Sequence, residues 1–226
     1  MSISGRIRKF LSRFNRNVFV NCPFDDRFVP CFEALVFTVT ACGYRIRCAL
    51  EDPNGIRFRG PKLVSLIRKS DRSIHDLSRV EIDDKNPHPR FNMPFELGVA
   101  MGAKHLGTPT QQKKTAVVMV RRRFELPRYL SDMAGGDQQE HNNDPLQVMR
   151  IVAKYLHVTP DGAHLPGPTW LAKVFRGFKK EALPRMAAAA RREMDECHPI
   201  NDYRDFLRFV NDFLREAKIL EGKQTR

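Results

Sequence analysis

Between residue 17 and about residue 120, short apolar runs alternate with longer amphipathic ones, a pattern few folds accept. The run "NVFVNC" (17–22) reads as a strand, ended by Pro23 and the Asp25–Asp26 pair. In "RFVPCFEALVFTVTACG", Phe28, Phe32, Leu35, Val36 and Val39 form one helical stripe that Gly43 closes. "YRIRCAL" (44–50) is a second strand, and "EDPNG" after it is turn chemistry. "PKLVSLIRKS" (61–70) opens with a proline in its first turn and reads as a helix. "RSIHDL" (72–77) is a third strand, and "SRVEIDDKNPHPR" is a polar loop. The helix containing "NMPFELGVAMGAK" comes next, and the apolar run of "TAVVMV" (115–120) suits a buried parallel strand.

Strand and helix in turn imply βαβ units, hence an α/β fold with a parallel sheet and helices on both faces. Such sheets bind ligands at the carboxyl ends of their strands. The loops there are 22–27, 51–60 and 76–92, together with the chain after 120. Neither G-x-G-x-x-G nor G-x-x-x-x-G-K-[ST] occurs, which counts against a dinucleotide dehydrogenase or a P-loop protein. Beyond the α/β domain (17–132), "SDMAGGDQQEHNNDP" (131–145) reads as a loop or linker, and 145–226 as a helical C-terminal region. Its clearest helix is 202–220, with Phe206, Phe209, Val210, Phe213 and Leu214 on one face and Asn201 or Asp202 as its cap.

Charge divides the chain unevenly. Residues 1–132 carry 24 Lys/Arg against 13 Asp/Glu, and residues 133–226 carry 15 against 13. The first part should attract anions such as nucleotides, nucleic acid or acidic lipids, unless the excess is a solvated basic surface. Residues 1–16 hold five basic and no acidic side chains, with Ile7, Phe10, Leu11 and Phe14 at helical spacing. They read as a basic amphipathic helix that docks on the domain, lies on a membrane or contacts nucleic acid. The segment lacks the apolar region of a secretory signal and loosely fits a mitochondrial presequence. No run of 18 apolar residues predicts a transmembrane span. Five cysteines without C-x-x-C spacing, and seven scattered histidines, argue against a disulfide framework or a zinc site and fit a reducing cytoplasm.

Glu96 is the one acidic residue in "RFNMPFELGVAMGAK" (90–104). Near a helix N-terminus a carboxylate gains roughly 0.3–1 kcal/mol from the macrodipole, which is explanation enough for a purely structural role. Gly98, Ala100, Gly102 and Ala103 would let this helix lie close to the sheet.

The stretch "SIHDLSR…FNMPFELGVAMG" resembles the nucleoside 2-deoxyribosyltransferase-like proteins, which share a flavodoxin-like architecture with TIR domains. "NVFVNCPFDD" fits their ligand loop, and the resemblance covers about residues 17–125. It implies that Glu96 is the nucleophile or cation stabiliser in cleavage of an N-glycosidic bond, and that Asp76 helps shape the sugar pocket. It makes Cys22, Pro23, Phe24 and Asp25 candidates for substrate contact. The transferases carry a second acidic residue shortly before the nucleophile. Here Arg90 and Asn92 stand in that neighbourhood, and Asp83 and Asp84 have a different spacing. Hydrolysis of a ribosyl–base bond, as in TIR-type NAD hydrolases, is therefore the better expectation, with NAD⁺ as substrate and no cofactor or metal. A toxic effector in bacterial defence against phage is the biological role that this implies.

The residues suit such chemistry. Breaking a ribosyl C–N bond builds positive charge on C1′ and the ring oxygen, which a carboxylate can stabilise or trap. Asn92 could bond sugar hydroxyls. Arg47, Arg57 and Arg59 could hold phosphates, and Glu51 stands with Arg47 at the end of the second strand. Phe24 could cover a base. His75, beside Asp76 in a strand, should point to the opposite face and be buried and hydrogen-bonded. The expectation is that Glu96 faces a cleft beside Asp76 and Asn92 and has little structural duty. The rival readings are a non-catalytic nucleotide-binding or scaffold module and a nucleic-acid-binding protein. A homo-oligomer or a partner protein could engage the terminal helices.

Overall fold

In the computed structural model, residues 16–52, 58–80, 90–123, 130–131, 136–158, 162–217 and 219 are described. The expected helix over 1–16, Arg57, Asp83 and Asp84 therefore lie outside the described residues, Arg16 excepted. The elements, in chain order, are β1 (Asn17–Asn21), α1 (Val29–Ala41), β2 (Arg45–Arg47), α2 (Arg59–Arg68), β3 (Arg72–Asp76), α3 (Asn92–Leu106), β4 (Thr115–Val120), β5 (Gln139–Glu140), α4 (Pro145–Leu156), α5 (Pro168–Gly177), α6 (Leu183–Ala189) and α7 (Tyr203–Glu216).

Five parallel strands pair in the order β2-β1-β3-β4-β5. This is the strand order of flavodoxin-like folds, as the sequence led us to expect. The registers Val20↔Ile74 and Asp76↔Met119 bring the carboxyl ends of the central strands level. β5 was not anticipated, since its two residues, Gln139 and Glu140, sit in a polar, Gly-rich stretch that reads as loop. No helix among the described residues is long and apolar enough to cross a membrane.

The described chain groups into two compact units. The first runs to Pro23 and then over Arg45–Asn143; the second takes Phe24–Tyr44, Asp144–Thr159 and the chain from Ala163 onward. In the first unit, Phe19 of β1 packs with Leu63, Leu66 and Ile67 of α2 and Ala100 of α3. Leu77, Val80, Met93, Leu97 and Val120 form a second cluster nearer the carboxyl edge. The glycines of α3 do not serve a close approach. A Cβ on Gly98 or Gly102 would meet open space, and Ala100 alone of the small residues is buried. At the other edge, the buried Lys114 ammonium donates to the carbonyls of Ile67 (2.7 Å) and Ser70, closing the end of α2. Burial holds its pKa below the usual lysine range, against the pull of Asp71.

The second unit is helical. Nearly all of α1 is buried, and it packs along α4 and against α7. Phe37 of α1 meets Phe175, Phe178 and Phe213, with ring centroids 5.1, 5.6 and 6.3 Å away. The buried Glu33 is paired with Lys179 at 2.5 Å. Between α5 and α6 the helix widens into a π-turn, Phe178–Ala182. Pro184 has no N–H to give the carbonyl of Lys180, and its ring crowds that turn, which a wider turn accommodates. Asp202 caps α7 by accepting from the Asp205 amide at 3.1 Å, and Asp144 caps α4 by accepting from the Leu146 amide at 2.9 Å.

Candidate active site

The carboxyl edge of the sheet gathers most of the residues that the sequence singles out. β1 ends in Asn21, whose buried side-chain amide donates to His75 Nδ1 (3.1 Å) and to the carbonyl of Met93 in the first turn of α3 (2.8 Å). With Nδ1 accepting, the His75 tautomer is fixed, and Nε2 donates to Ser73 Oγ at 2.9 Å. His75 is wholly buried, and burial drives its pKa from 6.5 down to about 3. This neutral, fully bonded histidine ties β1, β3 and the start of α3 together. It is the buried, hydrogen-bonded residue that strand alternation suggested; Asn21, its key partner, went unremarked in the sequence.

Asp76 takes the opposite face of β3, away from α3, because successive strand residues alternate. Its side chain is fully buried and surrounded by donors. Oδ1 accepts from the Ser78 amide at 2.9 Å and from the Ser78 hydroxyl. Oδ2 lies 3.0 Å from His141 Nε2, near enough to pair electrostatically although the alignment falls short of a hydrogen bond. The Asn143 amide donates to His141 Nδ1 at 3.0 Å, so the ring proton sits on Nε2, toward Asp76. His141 directly follows β5, and its own amide donates to the Val120 carbonyl at 3.1 Å. The Asp76 carboxylate thus anchors the edge strand. Nothing in the residue pattern marks His141, because it lies in the same polar stretch that conceals β5.

Glu96 falls in the second turn of α3 and is buried, its side chain only 7% exposed. Among the described residues, its charged partner is the Arg59 guanidinium, with Nη2 at 4.0 Å from Oε1 on a side chain 68% exposed. Burial pushes the Glu96 carboxyl up to about 7, and Arg59 pulls the other way. Arg59 opens α2, so the starts of two helices bring this pair together at the carboxyl edge. The Asn21–Met93 bond sets the first turn of α3 and hence the place of Glu96.

Asn92 is exposed in the first turn of α3 and caps nothing. Arg47 and Glu51 are half-buried and engage each other in a two-pronged pair, both bonds 2.7 Å. Cys22 and Pro23 follow β1 and are buried. Phe24 and Asp25 belong to the second unit. There Phe24 meets Phe32 edge-on at 5.2 Å, and Asp25 Oδ1 accepts from the Phe28 amide at 3.2 Å, steadying the turn into α1. The structure therefore brings Glu96 and Arg59 together, sends Asp76 to the other face of the sheet, and does not build the expected trio of Glu96, Asp76 and Asn92.

One feature of this edge was passed over in the sequence. Three consecutive arginines, Arg121–Arg123, follow β4 directly, and Arg122 and Arg123 are exposed. The Arg123 amide bonds Glu140 Oε2 at 3.2 Å, and Asn142 Nδ2 bonds Oε1 at 2.7 Å. These bonds, in that order, hold the Glu140 carboxyl below its usual range. A basic run at this position could have been read as a phosphate contact from its place after an apolar strand. Among the described residues no group of three or more His, Cys, Asp or Glu could hold a metal ion. No protein-family model, curated protein or solved structure matches the chain.

Proposed function

We propose that the protein is a nucleotide N-glycosidase that hydrolyses a ribosyl–base bond, with NAD⁺ as its first substrate to test. The observation that carries this reading is Glu96: a nearly buried carboxyl at the carboxyl edge of a parallel sheet, with a pKa near 7 and one long-range cationic partner. Such a group is poorly stabilised as an anion at rest. A developing oxocarbenium ion would stabilise it, and so the interaction would be strongest where the rate is decided. Nicotinamide is a good leaving group and needs no acid, which fits an edge where Asp76 is already committed to Ser78 and His141. Arg59 and the run 121–123 are the cations for the substrate's phosphates. Loss of NAD⁺ would make such an enzyme toxic to its cell, in keeping with the defence role that the family resemblance implies. Five buried cysteine thiols suit a reducing cytoplasm.

The same edge also supports a second reading, a non-catalytic nucleotide-binding module. The engagement of Asp76 favours it, because only one carboxylate remains for chemistry. Incubating the protein with NAD⁺, nucleosides and nucleotides, with chromatography for released bases, separates the two. Release of nicotinamide that rises through about pH 7, as Glu96 ionises, supports the glycosidase. Binding without release of any base supports the second reading.

A further inference from the structure

On α7, Asp205, Arg208, Asp212 and Arg215 follow one another at intervals of three, four and three residues, which places them along one stripe of the helix. All four line an open groove of about 630 Å³ between α7 and α6, floored by Met186, Ala189 and Phe209. Within the protomer, among the described residues, Arg208 and Arg215 have only exposed or long pairs, whereas Asp205 is held by Arg192. Arg208 Nη1 is 3.8 Å from Asp205 Oδ1 and Arg215 Nη1 is 3.4 Å from Asp212 Oδ1, with the two arginines 73% and 60% exposed. Asp205 also pairs with Arg192, and Arg185 bonds Glu216 across the groove at 2.8 Å. The exposed pairs of Arg208 and Arg215 contribute little to the stability of the protomer.

The order of the charges has a symmetry that intrahelical pairing does not require. About residue 210 the stripe is antisymmetric: Asp205 mirrors Arg215, and Arg208 mirrors Asp212. Just beside it, Arg204 mirrors Glu216 in the same way. Two copies of α7 laid antiparallel about a twofold axis at this point would therefore set every charge opposite its complement. A parallel pairing would set like against like. We propose that this groove is the interface of an antiparallel homodimer, in which α6 and α7 of each copy form half of a four-helix arrangement. An isologous contact needs a surface complementary to itself, and this stripe is one. At about 21 Å, α7 spans a modest interface, so the dimer should be reversible and sensitive to salt. This inference is independent of the glycosidase reading.

The test is sedimentation of the full chain over a concentration series at low salt, with circular dichroism to verify folding. The wild type should shift from monomer to dimer and return to monomer at high salt. Arg208→Asp sets two acids opposite each other, and Asp212→Arg sets two bases opposite each other. Each variant alone should associate about tenfold more weakly or worse. An equimolar mixture of the two restores every pairing and should recover dimer. The double variant Arg208→Asp/Asp212→Arg keeps every intermolecular pairing but turns both intrahelical pairs, 205 with 208 and 212 with 215, into like charges, so it should still dimerise as wild type with a slightly less stable α7. A wild type monomeric at every concentration overturns the proposal. So do single variants that associate as wild type, or a mixture that stays monomeric.

Discussion

Asp76 and Glu96 are two carboxyl groups buried at the same edge of one sheet, and they are treated in opposite ways. Asp76 Oδ1 takes two hydrogen bonds from Ser78, and Oδ2, which has no hydrogen bond of its own, faces the His141 ring at 3.0 Å. Glu96 is nearly as deeply buried and has one arginine at 4.0 Å. Around the same sheet, the Asn21–His75–Ser73 chain and the Lys114 ammonium are hydrogen-bonded. A carboxyl left poorly compensated in such surroundings costs stability when it ionises. This perturbed carboxyl is the feature on which the proposed glycosidase rests. Both residues are acidic and sit at the same edge; what separates them is that Asp76 is tied to Ser78 and faces His141, whereas Glu96 has only a distant arginine among the described residues.

The well-satisfied side should show the largest effect. His75 has a folded pKa of about 3 against an ordinary value of 6.5. Its contribution is fully present above pH 6.5 and is lost as the pH falls toward 3, on the order of 5 kcal/mol in all. Urea denaturation at pH 7 and pH 4 should show the loss, and His75→Gln should flatten it; the same slope in both proteins would show that another group is responsible. Next comes Asp76→Ala, which strips the acceptor from Ser78 and His141 in a fully buried place and should cost about 3–5 kcal/mol. A variant that keeps its full urea midpoint but loses base release would move Asp76 to the reactive side of the comparison.

Glu96→Gln should do the reverse. The folded pKa of Glu96 is raised from 4.5 to about 7, so the stability present below pH 4.5 is lost as pH rises through 7. Removing the charge should stabilise the protein by about 3 kcal/mol at pH 8 and leave it unchanged at pH 4. Equal destabilisation at both values would mean that Glu96 serves the fold. The smallest change expected in stability is that of Arg59→Ala, within about 0.5 kcal/mol for so exposed a residue. Because Arg59 lowers the Glu96 pKa, its loss should move the acidic limb of base release to higher pH. An unmoved limb would show that Arg59 does not act on Glu96.

The sheet was legible in the sequence because its long strands are short, continuous apolar runs, "VFV" in β1 and "AVVMV" in β4, set between helical patterns and turn residues. β5 was not, because two polar residues carry no pattern and its pairing is decided by the neighbouring strand. The same blindness hid His141. Glu96 could be picked out as an acid in an apolar helix start, but its burial was missed, because a position in the second turn fixes height along the helix and not the surroundings. Asp76 was assigned to the sugar pocket from its place at a strand end. Alternation does set His75 and Asp76 on opposite faces, but it is His75, buried and hydrogen-bonded as expected, that shares the side of α3, and Asp76 that faces away.

The most direct test of the account is base release from NAD⁺ by the wild type and by Glu96→Gln at pH 8, with the melting temperature of each measured in the same buffer. The wild type should release nicotinamide, and the variant should be slower by roughly 10²-fold or more, the scale of one lost preorganised electrostatic contact, and should melt at a higher temperature. A variant that releases nicotinamide at the wild-type rate and melts at a lower temperature would contradict it, and would return Glu96 to an ordinary place in the fold.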